Sequence, residues 1–138
     1  MAGRREDPGR QGRQFPGGCR MIGTSAGLLE FQALLVLKSF ATHVLPGRVM
    51  NLPRSFCDIV GMLNGGMMIG VKLRRVYRPA LTPVQAGKLF GPDISLMKSY
   101  CVHKPVHLEL WIAVSGGRWQ FFEIDGDNVR EVRHACPP

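Results

Sequence analysis

Acidic residues, paired cysteine motifs and long apolar runs are all scarce in this sequence of 138 residues. Aspartate and glutamate together number 10 against 18 lysines and arginines, so the net charge is +8. The longest nearly uncharged stretch after Asp58, Ile59–Val71, has 13 residues, fewer than the ~20 that a membrane-spanning helix needs. We therefore expect no transmembrane span, and any contact with a membrane would be peripheral.

The four cysteines stand apart and form no CxxC pair; they are Cys19, Cys57, Cys101 and Cys136. An even number of cysteines could form two disulfides in an oxidising compartment. The apolar run Ala33–Leu37 is too short and too interrupted upstream for a convincing signal peptide. We therefore expect reduced thiols and an intracellular, non-secreted protein.

Motifs that carry known catalytic chemistry are missing as well. The sequence contains neither the phosphate-loop order GxxxxGK[ST] nor a GxSxG context for a nucleophilic serine. Glu109 and Glu123 could face each other across a hairpin, but solvation on exposed strands explains them more simply. Five residues could bind zinc, in a spacing that matches no standard zinc module: Cys101, His103, His107, His134 and Cys136. We expect no enzymatic activity, no cofactor, no metal site and no small-molecule substrate.

The positive charge is concentrated in two parts of the chain. Residues 1–20 contain five arginines and two acids, whereas residues 38–104 contain ten basic residues and two acids. Residues 105–138 carry a net charge of −2. Such a distribution attracts phosphate groups, whether on nucleic acid or on lipid headgroups. A well-solvated surface is the simpler alternative.

Composition and periodicity divide the chain into a flexible basic arm, residues 1–24, and a single domain, residues 25–138. The arm is rich in Gly, Arg, Pro and Gln and lacks periodicity. The spacing of apolar residues predicts a helix over Ala26–Val44 and a second one from Asn51 to Leu63. A capping-box pattern at Thr82 predicts a third, short helix.

Alternating apolar residues predict the strands, and turn signals separate the last three. The predicted strands are Met67–Tyr77, Ile94–His103, His107–Val114, Arg118–Ile124 and Val129–His134. The expected fold is α+β: an antiparallel sheet of about five strands with two or three helices on one face.

The strongest binding feature is a basic cluster with an interleaved tyrosine in the first of these strands. It consists of Lys72, Arg74, Arg75, Arg78 and Tyr77. Arginine contacts phosphate in a bidentate manner, and a tyrosine ring can stack on a base. The arm would add four more anion-binding side chains: Arg4, Arg5, Arg10 and Arg13. Charges that merely protect an edge strand from pairing are the alternative.

Four further residues complete the candidate interface. Trp111 and Trp119 could stack on bases or form an interface. Met67 and Met68, in an apolar loop next to several glycines, could insert into a membrane or mediate self-association.

Three segments, Cys57–Leu63, Ile69–Gly70 and Lys72–Arg78, run from a predicted helix into a basic strand that bears an aromatic residue. This arrangement, together with the strand Val106–Val114 and the following Gly116–Trp119, resembles the core of rhabdovirus matrix proteins. The resemblance spans roughly residues 28–124. It implies a non-enzymatic virion protein that self-associates, lies on the inner face of the membrane and condenses the nucleocapsid.

The leading hypothesis is therefore a basic matrix-type protein, a homo-oligomer that binds anionic membrane and nucleoprotein or nucleic acid. Two other hypotheses remain open. One is a small nucleic-acid-binding or regulatory protein, and the other is a globular domain that binds a protein partner. Electrostatic binding of either anionic partner should weaken steeply with salt.

Overall fold

The described residues form one six-stranded sheet and three helices. The computed structural model describes residues 26–52, 56–101 and 105–135, and the predicted arm lies outside them. The strands are β1 (Thr42–Pro46), β2 (Ile59–Met62), β3 (Met68–Arg75), β4 (Val106–Val114), β5 (Arg118–Asp125) and β6 (Asn128–Val132). The helices are α1 (Ala26–Lys38), α2 (Pro83–Leu89) and α3 (Gly91–Tyr100), and a 3₁₀ helix covers Gly47–Met50.

The strands follow one another across the sheet in chain order, β1 to β6. All neighbouring pairs are antiparallel except β3 and β4, which are parallel. The predicted α+β class with a largely antiparallel sheet is confirmed, with six strands instead of about five. Among the described helices, none is long and apolar enough to cross a bilayer.

The helices lie on both faces of the sheet and not on one face as predicted. Side chains of α1 form one core with alternate residues of the strands: Leu29, Ala33, Val36, Leu37, Ile69, Val71, Trp111 and Phe121. Side chains of α2 and α3 form the other core: Ala86, Ile94, Met97, Leu110, Ile112 and Phe122. Parallel strands need a long crossover, and the β3–β4 crossover brings α2 and α3 to the face that α1 leaves uncovered.

The second predicted helix, from Asn51 to Leu63, is wrong for its described part. Ile59–Met62 forms β2, which pairs with β1 and β3. Ile59 belongs to the core under α1 and Val60 to the opposite core. A short apolar run that is buried on both sides has no amphipathic period, so periodicity cannot separate helix from strand there.

The first predicted helix, Ala26–Val44, ends earlier than expected. Ser39 Oγ donates a hydrogen bond to the Val36 carbonyl (2.6 Å), and the Ala41 N–H bonds to the Leu37 carbonyl (2.9 Å). The chain then turns into β1, which pairs with β2. Pairing with a strand distant in sequence thus overrides local helix propensity.

The predicted strand Ile94–His103 is also wrong, because residues 91–100 form α3. Ile94 and Met97, three residues apart, are its buried residues. Pro92 lies in the first turn, where proline is tolerated. Lys98, which interrupts the apparent alternation, points to Asp127 in an ion pair of 3.1 Å.

The remaining predictions are confirmed within a few residues. β3 covers most of Met67–Tyr77, and the meander β4–β5–β6 matches the three predicted C-terminal strands. Thr82 caps α2 with the predicted capping box, since its hydroxyl accepts from the Gln85 N–H and the Gln85 side chain accepts from the Thr82 N–H.

Candidate nucleic-acid interface

Lys72 of the basic cluster lies inside the protein. Lys72 is 5% exposed, and its Nζ is 3.7 Å from Oδ2 of Asp58, which lies just before β2. The same Oδ2 accepts a hydrogen bond from the Leu73 N–H (2.8 Å). Lys72 therefore neutralises a carboxylate that ties the start of β2 to β3, and it is not a surface cation.

Arg74 is paired across the sheet face with Asp93 of α3. Its Nη2 donates to Oδ1 (2.6 Å) and its Nε donates to Oδ2 (3.0 Å), which is bidentate geometry. The hydrogen bonds from Arg74 hold the pKa of Asp93 below its ordinary value, and those to Asp93 raise the pKa of Arg74. The pair joins β3 to α3 and leaves little net charge at this point.

Tyr77 and Arg78 project from the segment that follows β3. Tyr77 is 86% exposed, and Arg78 is exposed as well. Arg75, the last residue of β3, is half-buried. An aromatic ring thus lies in solvent between two arginines that are close to it in sequence.

The backbone around Tyr77 is tied to the sheet. The Val76 N–H bonds to the Ala113 carbonyl (2.9 Å), which extends the β3–β4 pairing by one residue. The Ser115 N–H bonds to the Arg78 carbonyl (2.8 Å). These bonds flank Tyr77 on both sides, so its ring projects from a backbone that two hydrogen bonds fix to β4 and to the β4–β5 turn.

A further arginine, Arg118 at the start of β5, reaches the same segment. Its Nη2 donates to the Pro79 carbonyl (2.8 Å). Arg118 was not among the predicted site residues, because only the parallel pairing of β3 with β4 brings the β4–β5 hairpin to this segment. We call the four residues Arg75, Tyr77, Arg78 and Arg118 the Tyr77 surface.

The two tryptophans lie in the core. Trp111 is fully buried, and Trp119 is nearly so. The Trp111 ring contacts the rings of Trp119, Phe121 and Phe40, with centroid separations of 4.9–6.5 Å. Neither tryptophan presents a face to solvent, so neither can stack on a base in this conformation.

Met67 and Met68 lie at the tip of the β2–β3 hairpin. Met67 is exposed and Met68 is half-buried. The Leu63 N–H bonds to the Met67 carbonyl (2.7 Å), and Gly65 and Gly66 both have positive φ in the turn. A turn of this kind favours glycine, which accounts for the glycines without a phosphate loop. The four arm arginines lie outside the described residues.

A second polar cluster surrounds Glu109 on the α1 face of the sheet. Glu109 is 2% exposed. It accepts hydrogen bonds from Trp111 Nε1 and His134 Nε2 on Oε1 and from His107 Nε2 on Oε2, each at 2.7 Å when both histidines carry a proton on Nε2. Burial raises the pKa of Glu109, but the hydrogen bonds from His107, His134 and Trp111 outweigh it and lower that pKa to about 2. The carboxylate is charged and its hydrogen bonds are satisfied inside the protein.

Glu123 lies opposite Glu109 across the β4–β5 hairpin, as the alternation suggested. Glu109 is nevertheless buried, and not solvated as expected. His107 lies 3.6 Å from Glu123 as well as 2.7 Å from Glu109. Hydrogen bonding to Glu109 is the main reason why the pKa of His107 is raised. Arg130 of β6 pairs with the outer carboxylate, Glu123.

Among the residues that the structure describes, no three His, Cys, Asp or Glu side chains are grouped so that they could hold a metal ion. His103 and Cys136, two of the five possible zinc ligands, lie outside those residues. Cys57 is buried and Cys101 is half-buried. Burial raises the pKa of the Cys57 thiol to about 12, so Cys57 is not a thiolate nucleophile at neutral pH.

These observations define a mixed α+β sheet protein with one exposed aromatic–arginine surface and one buried carboxylate–histidine cluster. No family model matches the chain, and no curated protein matches it. Among solved structures, the chain is similar to a Holliday junction resolvase from the archaeal hyperthermophile Archaeoglobus fulgidus. The identity is 11%, the match covers 78% of this chain and 88% of that chain, and the TM-score is 0.49.

The comparison corrects two expectations. The resemblance to rhabdovirus matrix proteins is wrong, since none of the comparisons supports it. The expectation of a protein without enzymatic activity is withdrawn as well, and the similar structure is described as a resolvase. At 11% identity and a TM-score of 0.49, the likeness assigns no reaction, substrate or metal to this chain.

Proposed function

We propose that the protein binds nucleic acid, with the Tyr77 surface contacting an unpaired base and the adjoining phosphates. The observation that carries the proposal is the exposure of Tyr77, 86%, between Arg75 and Arg78 on a backbone held by β4. Solvent exposure of a large aromatic ring gains no burial energy for the folded chain. The same ring next to arginines suits stacking on a base beside a phosphate.

The charge of the chain supports this proposal. The net charge is +8, while the described cations Lys72 and Arg74 are each paired with a carboxylate. Arg78 is exposed beside Tyr77, and the Arg118 guanidinium reaches the same segment. Guanidinium groups contact phosphate in a bidentate way and stack on aromatic planes.

An unpaired strand is the substrate class that this surface fits best. Tyr77 can stack only on a base whose face is open, as in a single strand, a loop or a junction. Arginines spaced around one ring track the backbone without reading base edges, so we expect little sequence preference.

The test is titration of a fluorescent single-stranded oligonucleotide with the full chain over a range of salt concentrations. Replacing Tyr77 with Ala should weaken binding by roughly 1–3 kcal/mol, because that is the usual contribution of base–aromatic stacking. Tyr77→Phe keeps the ring and should bind like the wild type. Duplex of the same sequence should compete poorly.

Arg78→Gln should lower the slope of log K against log salt by about 0.7, the value expected for one phosphate contact on a single strand. Lys88→Gln removes an equal charge at an exposed lysine in the last turn of α2 and is the matched control, because Lys88 belongs to neither Arg75, Tyr77, Arg78 nor Arg118. Equal losses for Arg78→Gln and Lys88→Gln, or unchanged affinity of Tyr77→Ala, would contradict the proposed surface. Binding to anionic vesicles that survives in Tyr77→Ala would show a separate, non-stacking interaction.

A further inference from the structure

α1 is apolar on two opposite faces. Its inner face contributes Leu29, Ala33, Val36 and Leu37 to the core. Its outer face exposes Leu28 (42%), Phe31 (59%) and Leu35 (42%). A helix with apolar residues on all sides is normally buried on all sides. The outer face of α1 is therefore a candidate binding surface. We call Leu28, Phe31 and Leu35 the α1 stripe.

The spacing of the α1 stripe is that of a helix-pairing seam. Leu28, Phe31, Leu35 and Lys38 are three, four and three residues apart, which is the a/d pattern of a heptad. This order of spacings is the same in both chain directions. Two α1 helices related by a two-fold axis would therefore place Phe31 of one copy against Leu35 of the other.

The end of the seam accommodates a charge. In the antiparallel arrangement Lys38 lies against Leu28 of the second copy, and Lys38 is exposed in the last turn of α1. A lysine stem covers apolar surface while its ammonium group stays in water. Glu30 is engaged by Arg48 of the 3₁₀ helix through both carboxylate oxygens (2.6 and 2.8 Å) and therefore does not require a partner from the second copy.

Apolar surface beside α1 extends the stripe. Of the eleven exposed large apolar side chains in the described residues, six lie in residues 28–50: Leu28, Phe31, Leu35, Leu45, Val49 and Met50. The Glu30–Arg48 ion pair holds the 3₁₀ helix against α1, so Val49 and Met50 lie on an element next to the stripe. A stable interface buries about 800 Å² per partner, with a core of large apolar side chains such as these.

The segment that precedes α1 is poorly suited to cover the stripe. Residues 1–25 contain five arginines, and their large apolar residues after Met1 are Phe15, Met21 and Ile22. Such a composition gains little by burial. A second copy, in contrast, offers the same apolar stripe in the matching order.

We propose that the α1 stripe is a self-association surface, in which two copies of the chain pair α1 with α1 in antiparallel orientation about a two-fold axis. An interface of this kind is self-complementary, since each Phe31–Leu35 contact occurs twice. The proposal concerns assembly and stands apart from nucleic-acid binding at the Tyr77 surface.

The experiment is sedimentation equilibrium of the full chain and of two single variants, Phe31→Lys and Leu35→Glu, alone and mixed in equal amounts. Both positions are exposed, so the variants should fold, which circular dichroism checks. Each variant alone should be monomeric, with the dimer dissociation constant raised about 100-fold or more, because each dimer would bury two unpaired charges. The mixture should dimerise again, since the introduced ammonium group of one copy then faces the introduced carboxylate of the other.

The control is Val84→Glu, a like change at a 66% exposed valine on α2, which should leave the dimer intact. The proposal fails if the wild-type chain is monomeric at millimolar concentration, or if Leu35→Glu dimerises like the wild type. Monomeric variants whose mixture stays monomeric would rule out the antiparallel register. Dissociation by Val84→Glu as well would place the interface elsewhere.

Discussion

Glu109 is the residue whose surroundings differ most from what its place on a strand suggests. It alternates with Leu108 and Leu110 in a pattern that normally points polar side chains to water. Here α1 and the segment after β6 cover that face as well, and Glu109 becomes a buried carboxylate with three hydrogen-bond donors. A buried charge is tolerated when it is paired and fully hydrogen-bonded.

The cluster makes stability depend on pH in two directions. The pKa of Glu109 is about 2 against an ordinary 4.5, so its stabilisation is present above about pH 4.5 and is lost as the pH falls toward 2. The pKa of His107 is raised above 6.5, so its contribution is present below about pH 6.5 and is lost as the pH rises through the folded value. Besides Glu109, the charged side chains that act on His107 are Glu123 and Arg130. We expect the cluster to stabilise the fold most between about pH 4.5 and 6.5.

Urea denaturation at a series of pH values checks this expectation. Glu109→Gln should lower the free energy of unfolding at pH 6 by an amount on the order of 3 kcal/mol, which is the linkage value of the Glu109 pKa shift. His107→Gln should flatten the decline above pH 6.5. Asp125→Asn, an exposed acid at the end of β5, is the control and should change stability by less than about 0.5 kcal/mol. A Glu109→Gln variant as stable as Asp125→Asn would show that the cluster around Glu109 contributes no net stability.

At the scale of elements, α2 depends on a local signal and α3 on a distant one. The capping box of α2 satisfies two backbone N–H groups within four residues, and therefore sequence alone predicted it. α3 has no side-chain cap hydrogen bond. The burial of Ile94 and Met97 against β4 and β5 decides the conformation of α3. The alternation of Ile94, Leu96 and other apolar residues therefore predicted a strand wrongly.

Loss of the cap should affect the whole fold, since α2 is part of the core over β4. Thr82→Ala should lower the free energy of unfolding by about 1 kcal/mol, because the Gln85 N–H loses its acceptor. Denaturant titration measures the change. Ser95→Ala, at an exposed serine of α3, is the matched control and should have little effect. Equal effects of Thr82→Ala and Ser95→Ala would mean that the cap is dispensable.

At the scale of the whole molecule, two of the four basic residues of the sequence-predicted cluster serve the fold. Asp58 and Asp93 neutralise Lys72 and Arg74 from the start of β2 and from α3. Both carboxylates are far from the cluster in sequence, at 14 and 19 residues. The exposed positive charge of the chain is therefore smaller around β3 than the sequence indicated, and the arm gains in relative importance.

The contribution of the arm can be measured in the full chain. Replacing Arg4, Arg5, Arg10 and Arg13 with Gln should lower the salt slope of oligonucleotide binding by up to about 3, which is four contacts of about 0.7 each. The stacking contribution of Tyr77 should persist in that variant. A salt slope equal to that of the wild type would show that the arm does not contact the nucleic acid.

Sequence by itself determined the local features of this protein: β3, the capped helix α2, the C-terminal meander, the α+β class and the positive charge. Each of the strands and the helix among these features depends on residues within about ten positions of one another, so a short window contains its cause, and the class and the charge are read from the sequence as a whole. The exposed Tyr77 beside Arg78 belongs to the same group, since its flanking residues are all charged, polar or proline apart from Val76.

Tertiary structure alone decided which strands pair and which charges are neutralised. The parallel β3–β4 pairing brings Arg118 to Pro79, 39 residues away, and places α2 and α3 opposite α1. The helices on both faces also bury both tryptophans and Glu109, because a sheet that is covered on both faces has no side that is open to water. The burial of a residue and its ion pairing depend on segments that are distant in sequence, and only the folded chain brings those segments together.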